Sequence, residues 1–483
     1  MTSESPPAVD TGPGTAVRRA VFFVAILMLA VQVGPLYYCQ GDAPGYISIA
    51  RHIARGDGLL NHDGPVLWYP PGYSLLISPL FCLGDLPLLA ISAFHFLLAM
   101  ALMCGVYLWA KRFAPAGALW AAVITVGSAG VWIHYRRPVS ELAFMAVSIW
   151  AVVCLESAVK AVDRKRFVAL LLTVMLLFAM TGLIRSIGIA LAAGAGCRLG
   201  LAAFKRQIEW RRATTLALAV MLASTLAVGS VVVRDHVLAA SMGKAAYLDA
   251  VAQNRVPGLA GGPVPWCALV VSEIGRVGIP GMYKSYGFIG AWRDVNMLVY
   301  MPYVLLLLAG WVRWLRRCSD VLGWTLPFYL AILTYFRWES GARYWVPMMP
   351  VIVVCTWFLL EPLGRRRQPL FAIIWVLHLA AASGYWIASD LPQARALNSL
   401  WPEAKAAAAM IDRDRDRVVV ANDLYDLGSL LTLEFDRGVG VRPRGDGPVP
   451  PGTRWLILPA KATGPQGFAL RGRLNEDCIW QRE

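Results

Sequence analysis

The chain has 483 residues, of which 58% are hydrophobic and only 16% are charged. Soluble globular chains are about one half apolar and about one quarter charged, so this composition excludes the ordinary soluble class. The apolar residues form runs of about 20, which predicts a polytopic α-helical membrane protein.

The net charge of +15 does not indicate nucleic acid as a partner. The Lys and Arg residues form short clusters between the apolar runs, which is the pattern that orients membrane helices, and membrane lipid is their expected partner. The nine cysteines show no Cys-x-x-Cys or Cys/His spacing, and several lie inside apolar runs. A disulfide framework, a zinc site and a cofactor are therefore not expected.

Residues 1–17 are rich in Pro, Ser, Thr and Gly and predict a disordered tail. Arg18 and Arg19 then precede an apolar run at 20–36. No small-residue cleavage site follows, so this run is interpreted as an uncleaved first transmembrane helix. The two arginines place its start, and with it the N-terminal tail, in the cytoplasm.

About eleven apolar segments form a predicted transmembrane domain over 18–388. If they alternate in direction, each large basic cluster falls on the cytoplasmic side, which supports the assignment. No internal repeat indicates an inverted-repeat transporter. The predicted spans are 20–36, 86–110, 116–135, 141–159, 167–184, 186–204, 213–233, 297–311, 321–336, 344–363 and 369–388.

The first outer loop, 37–72, is polar and rich in turn residues. Within it, Pro44–Ala54 has the spacing of a short amphipathic helix, which we expect to lie in the membrane interface. Asp42 lies just before the start of this helix, whereas Asp57 and Asp63 stand beside glycines as turn residues.

A long outer loop, 234–296, contains Lys284 and Arg293 among many Gly, Pro and aromatic residues. From residue 389 the span-length apolar runs stop and charges become frequent. The segment 389–483 therefore predicts a small α/β domain on the outer side. Its predicted strands are Arg417–Ala421 and Trp455–Pro459, and its predicted helices are Glu403–Ile411 and Asp426–Leu433.

Several arginines fall on the predicted outer face, against the positive-inside bias. Grouped guanidinium groups at one membrane level suit an anionic ligand, because Arg binds phosphate or carboxylate through a forked set of donors. The alternative for each arginine is an anchor that reaches a lipid phosphate. Glu141, at the start of a span, is either part of such a site or an acidic residue that favours a first helical turn. The arginines are Arg136, Arg137, Arg185, Arg293, Arg337 and Arg343.

Motifs in the first outer loop and in three later stretches occur in the order found in one known family. The chain resembles the GT-C-type glycosyltransferases, in particular the bacterial relatives of protein O-mannosyltransferases and of lipid A aminoarabinose transferases. The similarity covers about residues 18–365. The motifs are Gly41-Asp42, Tyr46 with Ile47–Ala54, Gly56-Asp57-Gly58, Tyr69-Pro70-Pro71-Gly72-Tyr73, Arg137–Glu141, Gly182–Ser186 and Gly341–Pro347.

The resemblance implies transfer of a sugar from a polyprenyl-phosphate carrier to an acceptor on the outer side of the membrane. Asp42 is then the general base that takes a proton from the acceptor hydroxyl. A single displacement would invert the anomeric carbon, and preplaced cations would stabilise the leaving phosphate. The residues expected to bind the donor phosphate or the substrate are Arg343, Tyr344, Arg185, Arg137, Glu141, Tyr69, Lys284 and Arg293.

The sequence also departs from the family. The lipid A-modifying relatives tend to carry a Lys before Pro where this chain has Tyr69-Pro70. That phosphate contact is either missing here or supplied elsewhere, and Lys284 or Arg293 of the long loop could replace it. No Asp-x-Asp pair stands near Asp42, so no metal site of the oligosaccharyltransferase branch is predicted. The expected acceptor is an envelope glycan, a lipid or a protein, and the expected location is the inner (cytoplasmic) membrane, with the active site outside.

Two other functions share parts of this pattern. A transporter or flippase for a lipid-linked or anionic substrate would have the same polytopic architecture, although it would be expected to show repeats or charges at mid-span. A membrane scaffold could use the α/β tail as its interaction module.

Overall fold

The structure, a computed structural model, describes most of the membrane part of the chain and isolated parts of the tail. The described residues are 14–38, 42–61, 64–66, 69–242, 263–280, 282, 289–336, 342–411, 417–421, 430–431, 440–442, 453–459, 468–474 and 477–482.

Helices dominate the described residues. The helices are α1 (Thr15–Ala30), α2 (Ala43–Arg55), α3 (Gly72–Ile77), α4 (Leu88–Lys111), α5 (Ala118–Gly127), α6 (Ala129–Arg136), α7 (Ser140–Lys160), α8 (Arg164–Ile184), α9 (Ile189–Phe204), α10 (Trp210–Ser241), α11 (Pro263–Gly278), α12 (Ile289–Arg317), α13 (Val321–Phe336), α14 (Met349–Leu359), α15 (Arg367–Tyr385), α16 (Leu391–Ser399) and α17 (Trp401–Met410).

Seven segments of the described chain are helical, long and apolar enough to cross a membrane by themselves, and an eighth is formed if α5 and α6 are one bent span. All eleven predicted spans overlap a helix, but α1, α13 and α14 are 16, 16 and 11 residues long. The polytopic helical architecture predicted from composition is confirmed with at least seven spans. The count of eleven stays a prediction.

The chain divides into two compact units. The helical unit comprises Met1–Val33, Ala93–Arg136 and Ser140–Tyr385, and the second unit comprises Gly34–Ser92, Arg137–Val139 and Trp386–Glu483. The second unit therefore combines the first outer loop with the tail, two segments that the sequence pattern treats separately.

Helices of the helical unit approach closely where one of them carries glycine. A Cβ at Gly194 of α9 would lie 2.7 Å from the backbone nitrogen of Thr325 in α13, and a Cβ at Gly310 of α12 would lie 2.8 Å from the carbonyl carbon of Cys355 in α14. Lipid surrounds apolar helices as favourably as their neighbours do, so close packing at small residues is a main source of attraction between them.

The apolar face of α2 is covered by protein rather than by lipid. Residues Ala43 to Arg51 are all buried. Ala43 and Ile47 share a core with Leu397 of α16 and Ala404 of α17. The amphipathic helix predicted at Pro44–Ala54 is thus present, but its apolar side packs on helices near the C-terminus. The sequence spacing is the same in either environment, because a helix shows the same periodicity against lipid and against protein.

A five-stranded mixed sheet occupies the tail, in the order β4-β3-β5-β7-β6. Strand β3 pairs in parallel with β4 and β5, whereas β7 pairs antiparallel with β5 and β6. Strands form at both predicted positions, and α17 overlaps the predicted helix Glu403–Ile411. Of the helix predicted at Asp426–Leu433, the structure describes only residues 430 and 431. The strands are β3 (Arg417–Ala421), β4 (Gly440–Arg442), β5 (Thr453–Pro459), β6 (Phe468–Leu474) and β7 (Asp477–Arg482), after a two-residue pair β1 (Leu60–Asn61) and β2 (Gly64–Pro65).

Candidate functional site

A buried carboxylate stands at the start of α7. Glu141 occupies the first turn of this helix, where a negative charge is favoured by the helix dipole, and its side chain is 3% exposed. The preceding span is bent by 55° between α5 and α6. The second of these helices carries His134, whose Nδ1 lies 3.9 Å from Glu141 Oε2.

Arg185 reaches the same carboxylate from the end of α8. That helix stops at Ile184, and Arg185 takes up an extended backbone conformation with φ −151° and ψ 128°. Its Nη1 lies 2.7 Å from Glu141 Oε1 and donates a longer hydrogen bond of 3.5 Å to Ser140 Oγ. A buried ion pair of this kind is stable only when the partners match closely, so Glu141 fixes the position of the guanidinium.

A second guanidinium comes from a short 3-10 turn, Ala342–Tyr344. The Tyr344 ring contacts both arginines, with the guanidinium carbon of Arg185 4.8 Å and that of Arg343 5.0 Å from the ring centroid. Arg343 Nη2 also donates to Tyr344 Oη over 3.3 Å. Tyr329 of α13 holds the turn, because its hydroxyl donates to the Tyr344 carbonyl oxygen.

We call Glu141, Arg185, Arg343 and Tyr344 the arginine cluster. Glu141, Arg185 and Arg343 interact electrostatically, and they comprise one carboxylate and two guanidinium groups. Cations in a partly desolvated site attract an anion more strongly than they do in water. Guanidinium forks of this kind bind phosphate or carboxylate oxygens.

Asp42 belongs to the second unit, at the position that precedes α2. Its carboxylate makes no capping hydrogen bond to this helix, although its carbonyl oxygen accepts from the Tyr46 N–H over 3.2 Å. Pro44 lies in the first turn of the helix, which suits its fixed φ. The side chain is partly exposed.

Tyr69, in the same unit as Asp42, contacts α2. Its ring packs edge-on against Tyr46, with centroids 5.1 Å apart, and Tyr46 packs in the same way against Tyr73 at 5.2 Å. A Cβ at Gly45 would lie 3.0 Å from Tyr69 Cε2, so the Tyr69 ring occupies the space that glycine leaves.

Arg137, also in the second unit, is paired with an acid that the sequence does not single out. Its Nη2 lies 3.3 Å from Oδ1 of Asp390, a buried residue next to α16. Its neighbour Arg136, in the helical unit, donates from Nη1 to Gln32 Oε1 over 3.0 Å. Buried contacts thus hold two of the arginines expected at the outer face.

The structure brings together four of the predicted site residues in the helical unit, namely Glu141, Arg185, Arg343 and Tyr344. Three others, Asp42, Tyr69 and Arg137, lie in the second unit. Lys284 lies outside the described residues, and Arg293 is described only as part of α12. In the described part of the chain, no three His, Cys, Asp or Glu side chains lie together in a way that could hold a metal ion.

Sequence reasoning missed His134, Tyr329 and Asp390. His134 had a usable signal, since a His between apolar residues and seven positions before Glu141 is unusual in a membrane span. Tyr329 and Asp390 had none, because their partners are distant in the chain.

No protein-family model and no curated protein matches this chain by sequence. Solved structures match it in fold. ArnT from Cupriavidus metallidurans bound to undecaprenyl phosphate matches with a TM-score of 0.56 and 11% identity, over 97% of this chain and 98% of that one. AglB, an oligosaccharyltransferase from Archaeoglobus fulgidus in complex with an inhibitory peptide and a dolichol-phosphate, matches with a TM-score of 0.53 and 10% identity, over 92% and 69%. Both neighbours are GT-C glycosyltransferases. The chain is therefore a multi-pass membrane protein with the GT-C fold, and the predicted resemblance is confirmed for the fold.

Proposed function

We propose that this chain is an inverting glycosyltransferase that moves a sugar from a polyprenyl-phosphate carrier to an acceptor. The arginine cluster carries the proposal, because two guanidinium groups share one carboxylate in a GT-C fold. A phosphate ester could accept hydrogen bonds from both guanidinium groups.

In the proposed reaction, an oxygen of the acceptor attacks the anomeric carbon while the bond from that carbon to the phosphate oxygen breaks. The electron pair of the broken bond stays on the departing lipid phosphate. Arg343 and Arg185 stabilise the charge that develops there, since preplaced donors act most strongly where charge appears in the transition state. Glu141 keeps Arg185 in position through their ion pair.

The acceptor proton needs a base, because a hydroxyl is a poor nucleophile until its proton is removed. We assign this role to Asp42, whose carboxylate does not cap α2. Tyr69, Arg137, Lys284 and Arg293 complete the proposed substrate contacts. An attack on the face opposite the leaving phosphate inverts the anomeric configuration.

The proposed setting is the outer face of the cytoplasmic membrane, with the N-terminus in the cytoplasm. The basic clusters support this orientation through the positive-inside bias. The acceptor is an envelope glycan, a lipid or a protein.

The test of the activity is a transfer assay. Membrane fractions that contain the chain are incubated with a panel of polyprenyl-phosphate sugars, and products in envelope glycolipids and proteins are identified by mass spectrometry. Asp42→Asn should lower the rate by about 100-fold or more, as expected for a lost general base. An Asp42→Asn chain that inserts normally and transfers sugar at the full rate would remove Asp42 from the mechanism.

The arginine cluster is tested by Arg343→Ala. Loss of a charged contact to the donor phosphate should raise the apparent KM for the donor by about tenfold or more, with little change in the KM for the acceptor. Arg316→Ala is the matched control, since Arg316 is exposed near the end of α12. An unchanged KM for the donor together with a raised KM for the acceptor would reverse the assignment.

A further inference from the structure

A second buried group of charges lies in the helical unit and has no part in the proposed reaction. Glu156 of α7 contacts two arginines, with Oε2 2.9 Å from Arg112 Nη2 and Oε1 3.3 Å from Arg198 Nε. Arg112 Nη2 is also 3.9 Å from Asp320 Oδ2. Trp109 Nε1 lies 3.1 Å from each oxygen of the Asp320 carboxylate. We call these five residues the aspartate joint.

The joint is remote from the arginine cluster. Glu141 and Glu156 lie fifteen residues apart on α7, and at about 1.5 Å per residue this separates them by about 22 Å. The joint is therefore not part of the arginine cluster.

Asp320 caps α13. Its Oδ1 accepts the N–H of Leu322 over 2.9 Å, the usual bond of an Asp before the first turn of a helix. The carboxylate is 2% exposed. Burial, and then the nearby Glu156 carboxylate, raise the pKa of Asp320 to about 6, against the opposing effects of Arg112, the Trp109 donor and the Leu322 N–H.

The charged and titratable groups around Asp320 come from every element that packs on it. Arg112 follows α4, and Glu156 belongs to α7. Arg198 of α9 contacts Glu156. On the other side, Cys318 lies near Asp320, with Arg317 and Glu361 close to the thiol. Two guanidiniums and two carboxylates of the joint balance when Asp320 is ionised, and one positive charge remains when it is protonated.

Helix α13 connects this joint to the arginine cluster. It starts next to Asp320 and, nine residues further, carries Tyr329, whose hydroxyl donates to the Tyr344 carbonyl oxygen. Between these points, Thr325 packs against Gly194 of α9, where a Cβ would not fit. Pro327 removes a backbone hydrogen bond of α13 between these points, so the close packing at Thr325 is what carries a change at the cap to Tyr329.

We propose that Asp320 is a proton-sensitive positioning residue, which sets the place of the Arg343–Tyr344 turn through α13. This inference rests on the proposed function in one respect, that the turn binds the donor phosphate. Ionised Asp320 accepts from Trp109 and from the Leu322 N–H with full negative charge and keeps α13 in the observed position. The neutral acid is a weaker acceptor, releases Arg112 to Glu156 alone, and loosens the cap.

Protonation of Asp320 should change the stability of the fold and the affinity for the donor in opposite directions. The folded chain holds the proton more tightly than an unfolded chain, whose Asp has a pKa of about 3.9. The unfolded state therefore binds fewer protons between about pH 4 and pH 6, and the stability of the fold decreases as the pH rises through this window. Donor affinity should change in the other direction, because it needs the ionised cap. A residue with a purely structural role would move both quantities together.

The first experiment measures thermal unfolding in detergent from pH 5 to pH 8. Asp320→Asn mimics the neutral acid, because it removes the buried charge and keeps a weaker acceptor for the Leu322 N–H. Its Tm should exceed that of the unchanged chain by about 2 °C near pH 7.5, and the difference should vanish towards pH 5. Trp109→Phe removes one hydrogen-bond donor to the Asp320 carboxylate. The pH midpoint of its Tm profile should therefore lie higher than that of the unchanged chain. Glu361→Gln is the control, and its profile of Tm against pH should match that of the unchanged chain. A Tm difference that is independent of pH would overturn the proposal.

The second experiment measures the binding of farnesyl phosphate, a short isoprenyl phosphate, over the same pH range. At each pH, the affinity of the unchanged chain is divided by that of Asp320→Asn. Titration of the ligand phosphate affects both affinities equally, so it does not affect this ratio. This ratio should be about five at pH 7.5 and should approach one at pH 5. A ratio of one throughout, with normal binding, overturns the positioning role. A third outcome is that neither the unchanged chain nor Arg343→Ala binds farnesyl phosphate, while the Tm profile is as expected. This outcome would contradict the proposed function and the connection from Asp320 to the turn. The titration of Asp320 would still stand.

Discussion

Helix α7 carries a buried glutamate near each end, and the two glutamates meet different partners. Glu141 pairs with Arg185 and also interacts with a second arginine, Arg343. Glu156 faces two arginines and shares one of them with Asp320, so its group is balanced.

The proposed difference is between charges that hold helices together and charges that bind a ligand. Removal of one member of the Glu156 group leaves a buried charge without its partner. Two guanidinium groups beside one carboxylate, as around Glu141, can in addition bind an anion. Membrane proteins rarely bury ionisable groups without one of these two uses.

The largest expected effect is that of Glu156→Ala. This change leaves Arg112 and Arg198 without their shared carboxylate and should lower the free energy of unfolding by about 3 kcal/mol. Thermal unfolding in detergent measures it. The matched change, Glu361→Ala, removes a more exposed pair with Arg317 and should lower that free energy by less than about 1 kcal/mol. Equal effects of the two changes would refute the structural role given to the balanced group.

The next comparison pairs one arginine from each group. Arg112→Ala leaves Glu156 with a single partner, and we expect a loss of about 2 kcal/mol in stability. Arg343→Ala should change stability by less than about 1 kcal/mol, because the lost contact with the Tyr344 ring is offset by relief of repulsion from Arg185. If Arg343→Ala proved the more destabilising of the two, the arginine cluster would have to be regarded as structural.

The smallest expected effect concerns the helix that connects the two groups. Gly194→Ala places a Cβ 2.7 Å from the Thr325 backbone nitrogen, so α9 and α13 must separate, and stability should fall by about 1 to 2 kcal/mol. Gly196→Ala, on the same helix, meets no atom within 4 Å and should be neutral or slightly stabilising. Farnesyl phosphate affinity should fall only in Gly194→Ala. Equal binding by both variants would show that the position of α13 does not matter to the arginine cluster.

Much of the fold could be predicted from the sequence. The long apolar runs identify the spans, because a helix that crosses lipid must be apolar over its whole length. The strands at Arg417–Ala421 and Trp455–Pro459 were accessible for a related reason, since short apolar runs bounded by turn residues have few alternatives. The helices that cover the apolar face of α2 could not be predicted, because its periodicity does not distinguish lipid from protein.

The candidate site was accessible only in part. Arg185 and Arg343 were identifiable as cations beside apolar sequence, but their common contact with Tyr344 depends on two helix ends that lie 159 positions apart. The pairing of Arg137 with Asp390 spans 253 positions and has no local signal.

The sequence by itself determined that the chain spans the membrane several times, because hydrophobicity over a span is a local property. It also determined which ionisable residues stand out against their apolar surroundings. Only the tertiary structure decided which of these residues meet. It joined Glu141 to Arg185, placed Arg343 beside them against the Tyr344 ring, and placed a compensated group at the other end of α7. Electrostatic partners are chosen by distance in space, and close packing of distant segments sets that distance.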